Sequence, residues 1–353
     1  TSNMSRVVRQ SKYRHVFGTN LKQDACYTAI NTNKNSANGT FCAVNPKFIA
    51  FSINSTGGGA FQVLPLTQTG RMSPKQPSFN AHKTAVLTLE FSPFNDNLLA
   101  TCADNGEVML WEIPDEGIKE NQDEPLATLQ KHKKRVNLLK WNPVADNILI
   151  SAGSENFICV WNTETGELIY EIPLPDSLFD VCWNHNGTEI ATTCRDKALR
   201  VYDVRSQELL HEKEKCCGSS TFMTCNYVLK NKLFLTAKVA GAKQYFLFDL
   251  KNLDVPLETD ELPGDSGYSF PFYDEASSVM FVTTKGQSAI PYYEIVDEEP
   301  YVHYISTHSA PTSQQGMAWL PKRALDLKSV EIAKFFKVTK DKIEPISMRV
   351  PRK

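Results

Sequence analysis

Two histidines, His82 and His132, stand fifty residues apart, and each is followed at matched distances by a hydroxyl and an indole: Thr101 and Trp111 after the first, Ser151 and Trp161 after the second. Imidazoles can ligate a metal or serve as a general base. Here each histidine recurs once per copy of the pattern, which places the two in separate structural units. The order histidine, hydroxyl, tryptophan is that of a hydrogen-bond relay joining neighbouring strands. The expectation for His82, Thr101, Trp111, His132, Ser151 and Trp161 is therefore a structural relay, with no metal and no catalytic residue. Gly57-Gly58-Gly59 is the densest glycine run, but it lacks the Lys and Ser/Thr that complete a phosphate cradle. It reads as a tight hairpin needing positive backbone φ. Carboxylates crowd 115–124 and 297–300 as they do in solvated loops. No convergent catalytic set is expected and no cofactor is implied, so recognition is favoured over chemistry.

The elements that position these residues follow from a repeat. An aromatic residue followed by an acid or amide recurs at Trp111-Glu112, Trp161-Asn162, Tyr202-Asp203, Phe248-Asp249 and Tyr293-Glu294, at intervals between 41 and 50 residues. That is the period of a four-stranded propeller blade, a unit that cannot bury its apolar face alone and must stack with its copies. Within the repeats, strand-like runs alternate with turns such as Ala103-Asp-Asn-Gly106 and His185-Asn-Gly187. Counting Leu64 and Phe336 as the first and last third-strand markers gives seven blades. The last blade then lacks an outer strand, and the unassigned strand-like segment Tyr13-Arg-His-Val-Phe-Gly18 can supply it, leaving no open sheet edge. The expected fold is all-β, a seven-bladed β-propeller over 13–337 closed by the N-terminal strand, with a basic arm at 1–12 and a C-terminal extension at 338–353 packed on the propeller.

Composition agrees with a globular chain. Apolar residues make up 41% and charged residues 22%. Neither a bilayer-spanning run nor a signal-peptide pattern appears. Nine cysteines without any Cys-x-x-Cys pair read as buried thiols in a reducing compartment, which favours the cytoplasm. Sequons at Asn3, Asn38, Asn54 and Asn186 are read as chance occurrences.

Net charge is only −2, so attraction to a polyanion must come from local clustering. Arg6, Arg9, Lys12, Arg14 and Lys22 precede the first acid at Asp24. Lys322, Arg323, Lys328, Lys334, Lys337, Lys340 and Lys342 crowd the other end, and ring closure is expected to merge the two clusters. A third cluster, Lys131, Lys133, Lys134 and Arg135, surrounds His132. An acidic filament or a phosphoinositide surface suits such patches. Nucleic acid is not expected, because exposed aromatic platforms and strong net positive charge are missing.

Val8-Arg-Gln-Ser-Lys-Tyr-Arg-His-Val-Phe-Gly18 closely resembles the opening signature of coronins. Phe41-Cys-Ala-Val-Asn-Pro-Lys-Phe48, Gly57-Gly-Gly-Ala-Phe61, Trp111-Glu-Ile-Pro114, Thr193-Cys-Arg-Asp-Lys197, Glu331-Ile-Ala-Lys-Phe-Phe336 and Glu344-Pro-Ile-Ser-Met-Arg-Val-Pro-Arg-Lys353 resemble coronin landmarks in coronin order. The resemblance implies a WD-repeat propeller that binds filamentous actin and regulates its turnover at the cell cortex, with a phosphoinositide membrane or other actin regulators as further partners. It also implies a variable linker and an oligomerising coiled coil following Lys353, and it makes Thr1-Ser2-Asn3, ahead of Met4, read as a cloning remnant. Many coronins carry an actin-contacting arginine shortly after a Cys-Tyr pair. Counting from Cys26-Tyr27 places Asn31 there, with Lys34 the nearest cation. The candidate actin contacts are thus Arg6, Arg9, Lys12, Arg14, Asn31, Lys34, Lys131, Lys133, Lys134 and Arg135. A general WD-repeat scaffold for peptides or phosphoinositides is the alternative.

Overall fold

Runs such as Leu98-Leu-Ala-Thr-Cys-Ala103 are apolar or small throughout, and a strand of that kind must be covered on both faces. Both Leu98–Ala103 and Val279–Thr284 are buried along their whole length. The fourth strand of a repeat is polar instead, and Leu209–Lys213 is exposed at four of its five residues. This gradient from apolar to polar sets each strand's distance from the axis of the molecule.

A computed structural model describes residue 13 and residues 16–218, 222–264 and 267–350. It shows seven sheets arranged as blades, six of them antiparallel and four-stranded with the strands in chain order. Blade 1 comprises Cys42–Val44, Phe48–Ile53, Gly59–Pro65 and Phe79–His82. Blade 2 comprises Val86–Phe91, Leu98–Ala103, Val108–Glu112 and Ala127–Leu129. Blade 3 comprises Val136–Trp141, Ile148–Gly153, Phe157–Asn162 and Glu167–Pro173. Blades 4, 5 and 6 follow at 178–213, 223–261 and 269–309.

The last blade departs from the expected layout. Gly316–Trp319 is its inner strand, Glu331–Val338 its second and Lys342–Arg349 its third. Phe336 therefore lies on a second strand and is not a third-strand marker. The segment 338–353, expected to run past the blades as an extension, supplies the third strand through residue 349. Lys342–Arg349 carries no aromatic-acid pair and contains Pro345, yet Ile343 on one face is buried toward blade 1, and Ile346 and Met348 on the other are buried toward blade 6. Burial on both faces outweighs the proline, which forgoes one ladder hydrogen bond.

Closure by the N-terminus holds, with this third strand as the direct partner. Phe17–Asn20 pairs antiparallel with it, Phe17 opposite Arg349 and Asn20 opposite Ile346. Tyr27–Thr28 continues along the same edge opposite Ile343 and Lys342. Ahead of the first strand, the buried Val16 carbonyl accepts a hydrogen bond from Tyr292 at 2.6 Å. The latch thus binds blade 6 as well as blade 7.

The core lies between blades. Phe61 and Phe79 of blade 1 stack at 4.7 Å with their planes 2° apart, and the Trp111 indole of blade 2 meets both edge-on at 5.3 and 5.1 Å. Such pairs add about 0.5–1.5 kcal/mol each beyond the area they bury. At the glycine run, Gly58 adopts φ +133°, while a Cβ on Gly59 would sit 1.7 Å from the Thr84 carbonyl oxygen. Those residues serve a turn and a close backbone approach, as the missing phosphate-loop residues indicated. All nine cysteines are free and buried.

The antiparallel order fixes which loops share a rim. Connectors between blades open on the same side as the turns joining second and third strands. The remaining hairpins, including the acidic segments 115–124 and 297–300, open on the opposite side.

Candidate functional site

His82 ends the outer strand of blade 1, just before the connector into blade 2, and His132 lies on the connector into blade 3. His82 Nε2 lies 2.7 Å from Thr101 Oγ1, which accepts the Trp111 indole N–H at 2.9 Å. In blade 3, His132 Nε2 lies 2.8 Å from Ser151 Oγ, which accepts from Trp161 at 2.8 Å. Each hydroxyl that accepts from an indole keeps its own hydrogen for the imidazole, which leaves the opposite ring nitrogen facing a carboxylate. Both expected relays are present, in separate blades.

Each relay has a fourth member that sequence reasoning missed. Glu107 Oε2 lies 3.4 Å from His82 Nδ1, and Glu155 Oε2 lies 3.0 Å from His132 Nδ1. The two acids do not occupy equivalent positions, because Phe157 stands fifty residues after Glu107. There it stacks on the His132 ring at 5.2 Å. The shift of register between repeats hides the acid from a search by spacing. Hydrogen bonding from His82 holds the Glu107 carboxyl down to about 2, whereas burial holds the His132 imidazole below its ordinary range despite Glu155.

These relays join the segment entering a blade to that blade's second and third strands, in buried surroundings, so cutting them has a calculable effect. Thr101→Val is nearly isosteric but strands the Trp111 N–H and the His82 ring nitrogen. At about 1–3 kcal/mol for an orphaned buried group, a loss of about 2 kcal/mol is expected in urea denaturation, with Ser151→Ala behaving similarly.

Blade 4 has lost the histidine. Its Arg200, buried on the third strand, donates instead to Glu212 at 2.7 Å and to Asp196 at 2.6 Å. The same job of pinning a turn to strands is done by a different ion cluster.

The rim holding the relay histidines also carries the cations expected at 131–135. Lys131 pairs with Glu171 at 2.5 Å and Arg135 with Asp104. Lys133 and Lys134 are exposed, and among the described residues neither makes an ion pair. Lys34 projects from the connector into blade 1, which opens on the same rim. Its neighbour Asn31 is exposed and donates through Nδ2 to the Asn54 carbonyl at 2.9 Å. Lys34 and Lys340 line an open cleft of about 510 Å³ at the closing seam, together with Asn33, Thr312 and Asp341. Arg6, Arg9, Lys12 and Arg14 lie outside the described residues.

The C-terminal cations do not form the open patch expected of them. Lys337 is fully buried, donating to the Thr312 carbonyl at 2.8 Å and lying 3.3 Å from Glu344. Lys342 pairs with the same Glu344 at 2.5 Å, Lys322 with Asp274 at 2.7 Å, and Arg323 with Asp96. Lys334 sits over the Phe336 ring at 5.9 Å. A count of charges along the chain cannot see that Asp96 and Asp274 arrive from other blades, or that strand pairing sets Glu344 opposite Lys337.

The seam also contains a titratable contact. His308, on the outer strand of blade 6 (Val302–Ser309), places Nε2 3.1 Å from the Asn20 side-chain oxygen, and a Cβ on Gly18 would collide with its ring. Burial, and then the nearby Lys337, hold this imidazole below its ordinary range. The unfolded chain takes up the proton at about pH 6.5 and the folded chain resists it. Stability therefore falls as pH drops below that value toward the folded group's lower one, and is fully present above it. Thermal unfolding between pH 5 and 7.5 should show this component in the native chain and lose it in His308→Gln.

A set of side chains in the central channel was also missed. The inner strands bring Glu90, Lys140 and Asp180 from three blades to one cavity. Glu90 and Lys140 occupy the same position of successive repeats, fifty residues apart. That was the available signal.

The fold and the relays define a class, the WD-repeat β-propeller. The model of the WD domain, G-beta repeat, matches residues 74–112, 123–162 and 166–203, and that of a domain of unknown function, DUF1899, matches residues 6–71. The WD40 domain of Toxoplasma gondii coronin superposes with a TM-score of 0.90 at 25% identity, covering 98% of this chain and 89% of that one. A chain of the mitotic checkpoint complex superposes with a TM-score of 0.67 at 12% identity, covering 92% of this chain and 94% of that one, a likeness of fold alone. With the landmark segments in their order, these matches make the propeller of this chain coronin-like. Among the described residues, no helix is long and apolar enough to cross a membrane.

Proposed function

We propose that this propeller is a non-catalytic actin-filament-binding module of a coronin-like protein that acts on actin organisation and turnover in the cytoplasm, at the cell cortex. The likeness of its propeller to the coronin WD40 domain is the observation that carries the reading. The rim formed by the connectors adds physical support, because Lys34, Lys133 and Lys134 stand exposed there while the acidic hairpins open on the other side. A filament with an acidic surface is attracted to the first rim and repelled by the second.

The cleft at the seam favours a second reading, since Lys34 and Lys340 flank a space of about 510 Å³ that suits a phosphoinositide headgroup or an acidic peptide. Pelleting with actin filaments and, in parallel, with phosphoinositide vesicles separates the two. The module is expected to pellet with filaments in the absence of lipid. Pelleting with vesicles alone would favour the scaffold reading.

A further inference from the structure

The central channel contains a cavity of about 100 Å³ whose wall carries two carboxyl groups against one ammonium. Glu90 and Asp180 supply two carboxyl groups and Lys140 one ammonium. Glu90 accepts the Trp141 N–H at 3.2 Å, and Asp180 accepts from Val181 at 2.9 Å and Cys225 at 3.0 Å. Among the described residues, Lys140 makes no ion pair with either acid. Three further oxygens on the same wall, Thr40 Oγ1, Asn226 Oδ1 and Ser269 Oγ, are buried without a hydrogen-bond partner among the described residues. Ser269 itself is 1% exposed.

A buried acceptor left unmatched is destabilising, and such atoms in a folded protein call for an explanation. What the wall lacks is a positive charge, once Glu90 and Asp180 are both ionised against the one Lys140, and a donor for Asn226 Oδ1; the Thr40 and Ser269 hydroxyls can accept from a guest as well as donate. An anion supplies neither, and water brings donors without charge. The space equals the liquid volume of about three waters. That admits the head of an alkylamine or of a basic side chain and excludes a nucleotide.

We propose that the central channel binds a single primary ammonium or guanidinium group between Glu90, Asn226 and Ser269, carried by a small amine or by an inserted lysine or arginine side chain. The site does not depend on the filament reading, since its walls are inner strands and the rim cations take no part. Its proton linkage follows from the wall. Burial raises the Glu90 carboxyl to about 7. Below that value an entering cation must displace the Glu90 proton, which passes to solvent, and above it the carboxylate already awaits the guest. Affinity should rise about tenfold between pH 6 and pH 8.

Calorimetric titration of the whole chain with methylammonium chloride and with acetyl-Ala-Lys-Ala-amide, at pH 6 and pH 8 and constant ionic strength, tests this. Saturable one-site binding of at least one probe is expected, with net proton release at pH 6 and at least tenfold weakening in Glu90→Gln. Binding of the peptide alone assigns the guest as an inserted side chain, and binding of methylammonium alone as a free amine. If Glu90→Gln fails to fold, carboxyl carbon resonances of the unmodified chain give the same answer, because the Glu90 titration midpoint should fall when the probe is present. Absence of saturable binding by both probes, or binding indifferent to pH and to Glu90→Gln, would overturn the assignment.

Discussion

Replacing Tyr27 by alanine is expected to lower the free energy of unfolding by about 3–5 kcal/mol, the range for deleting a large buried aromatic side chain. Tyr27 is 1% exposed, and its hydroxyl donates to the Leu66 carbonyl at 2.5 Å. Its ring lies 6.4 Å from Phe336, within a core that includes Met72, Leu320 and Ile343. The residue stands on Tyr27–Thr28, which pairs with the last blade on one side and with Gly70–Arg71 on the other. One side chain therefore joins the beginning of the chain, the first blade and the last. Tyr27→Phe keeps the packing and loses only the hydroxyl's hydrogen bond, at about 1 kcal/mol. Urea denaturation of both variants measures the difference. A cost under about 1 kcal/mol for Tyr27→Ala would mean that the N-terminal segment does not hold the ring closed.

The second large effect concerns the rim. Reversing Lys34, Lys133 and Lys134 together to glutamate is expected to weaken filament binding at least about tenfold, or about 1.4 kcal/mol, at low salt. These three are chosen because they are exposed and make no ion pair among the described residues, whereas Lys131 and Arg135 already face Glu171 and Asp104. Reversing a paired lysine would disturb the fold as well as the surface. The difference between variant and native chain should shrink as salt rises, since exposed charges are screened over about 8–10 Å in physiological buffer. Co-sedimentation at two ionic strengths reads both effects. Equal binding by variant and native chain at low salt would remove the rim from the proposed interface.

Much of this architecture was legible because propeller blades repeat their chemistry. The fifty-residue interval of His82 and His132 identified the relays, and the structure places their hydroxyls and indoles within hydrogen-bond reach. The relay acids escaped detection because Glu107 and Glu155 reach equivalent imidazoles from different positions in the turn. The third strand of the last blade escaped for another reason. Lys342–Arg349 is recognised by what it packs against, not by any motif, and its proline argued for a strand's end. Charge was the least legible property. The sequence shows seven cations toward the C-terminus, yet Asp274 reaches Lys322, Asp96 reaches Arg323 and Glu344 reaches Lys337 only through folding. The channel acids were hidden by the same cause, since three blades must close into a ring before Glu90, Lys140 and Asp180 face one space.

The binding isotherm of the native chain on actin filaments, measured by co-sedimentation at low and at physiological ionic strength, tests the central claim most directly. Saturable binding that weakens with added salt is the expected result. A chain that stays in the supernatant across the filament titration at low salt would contradict it.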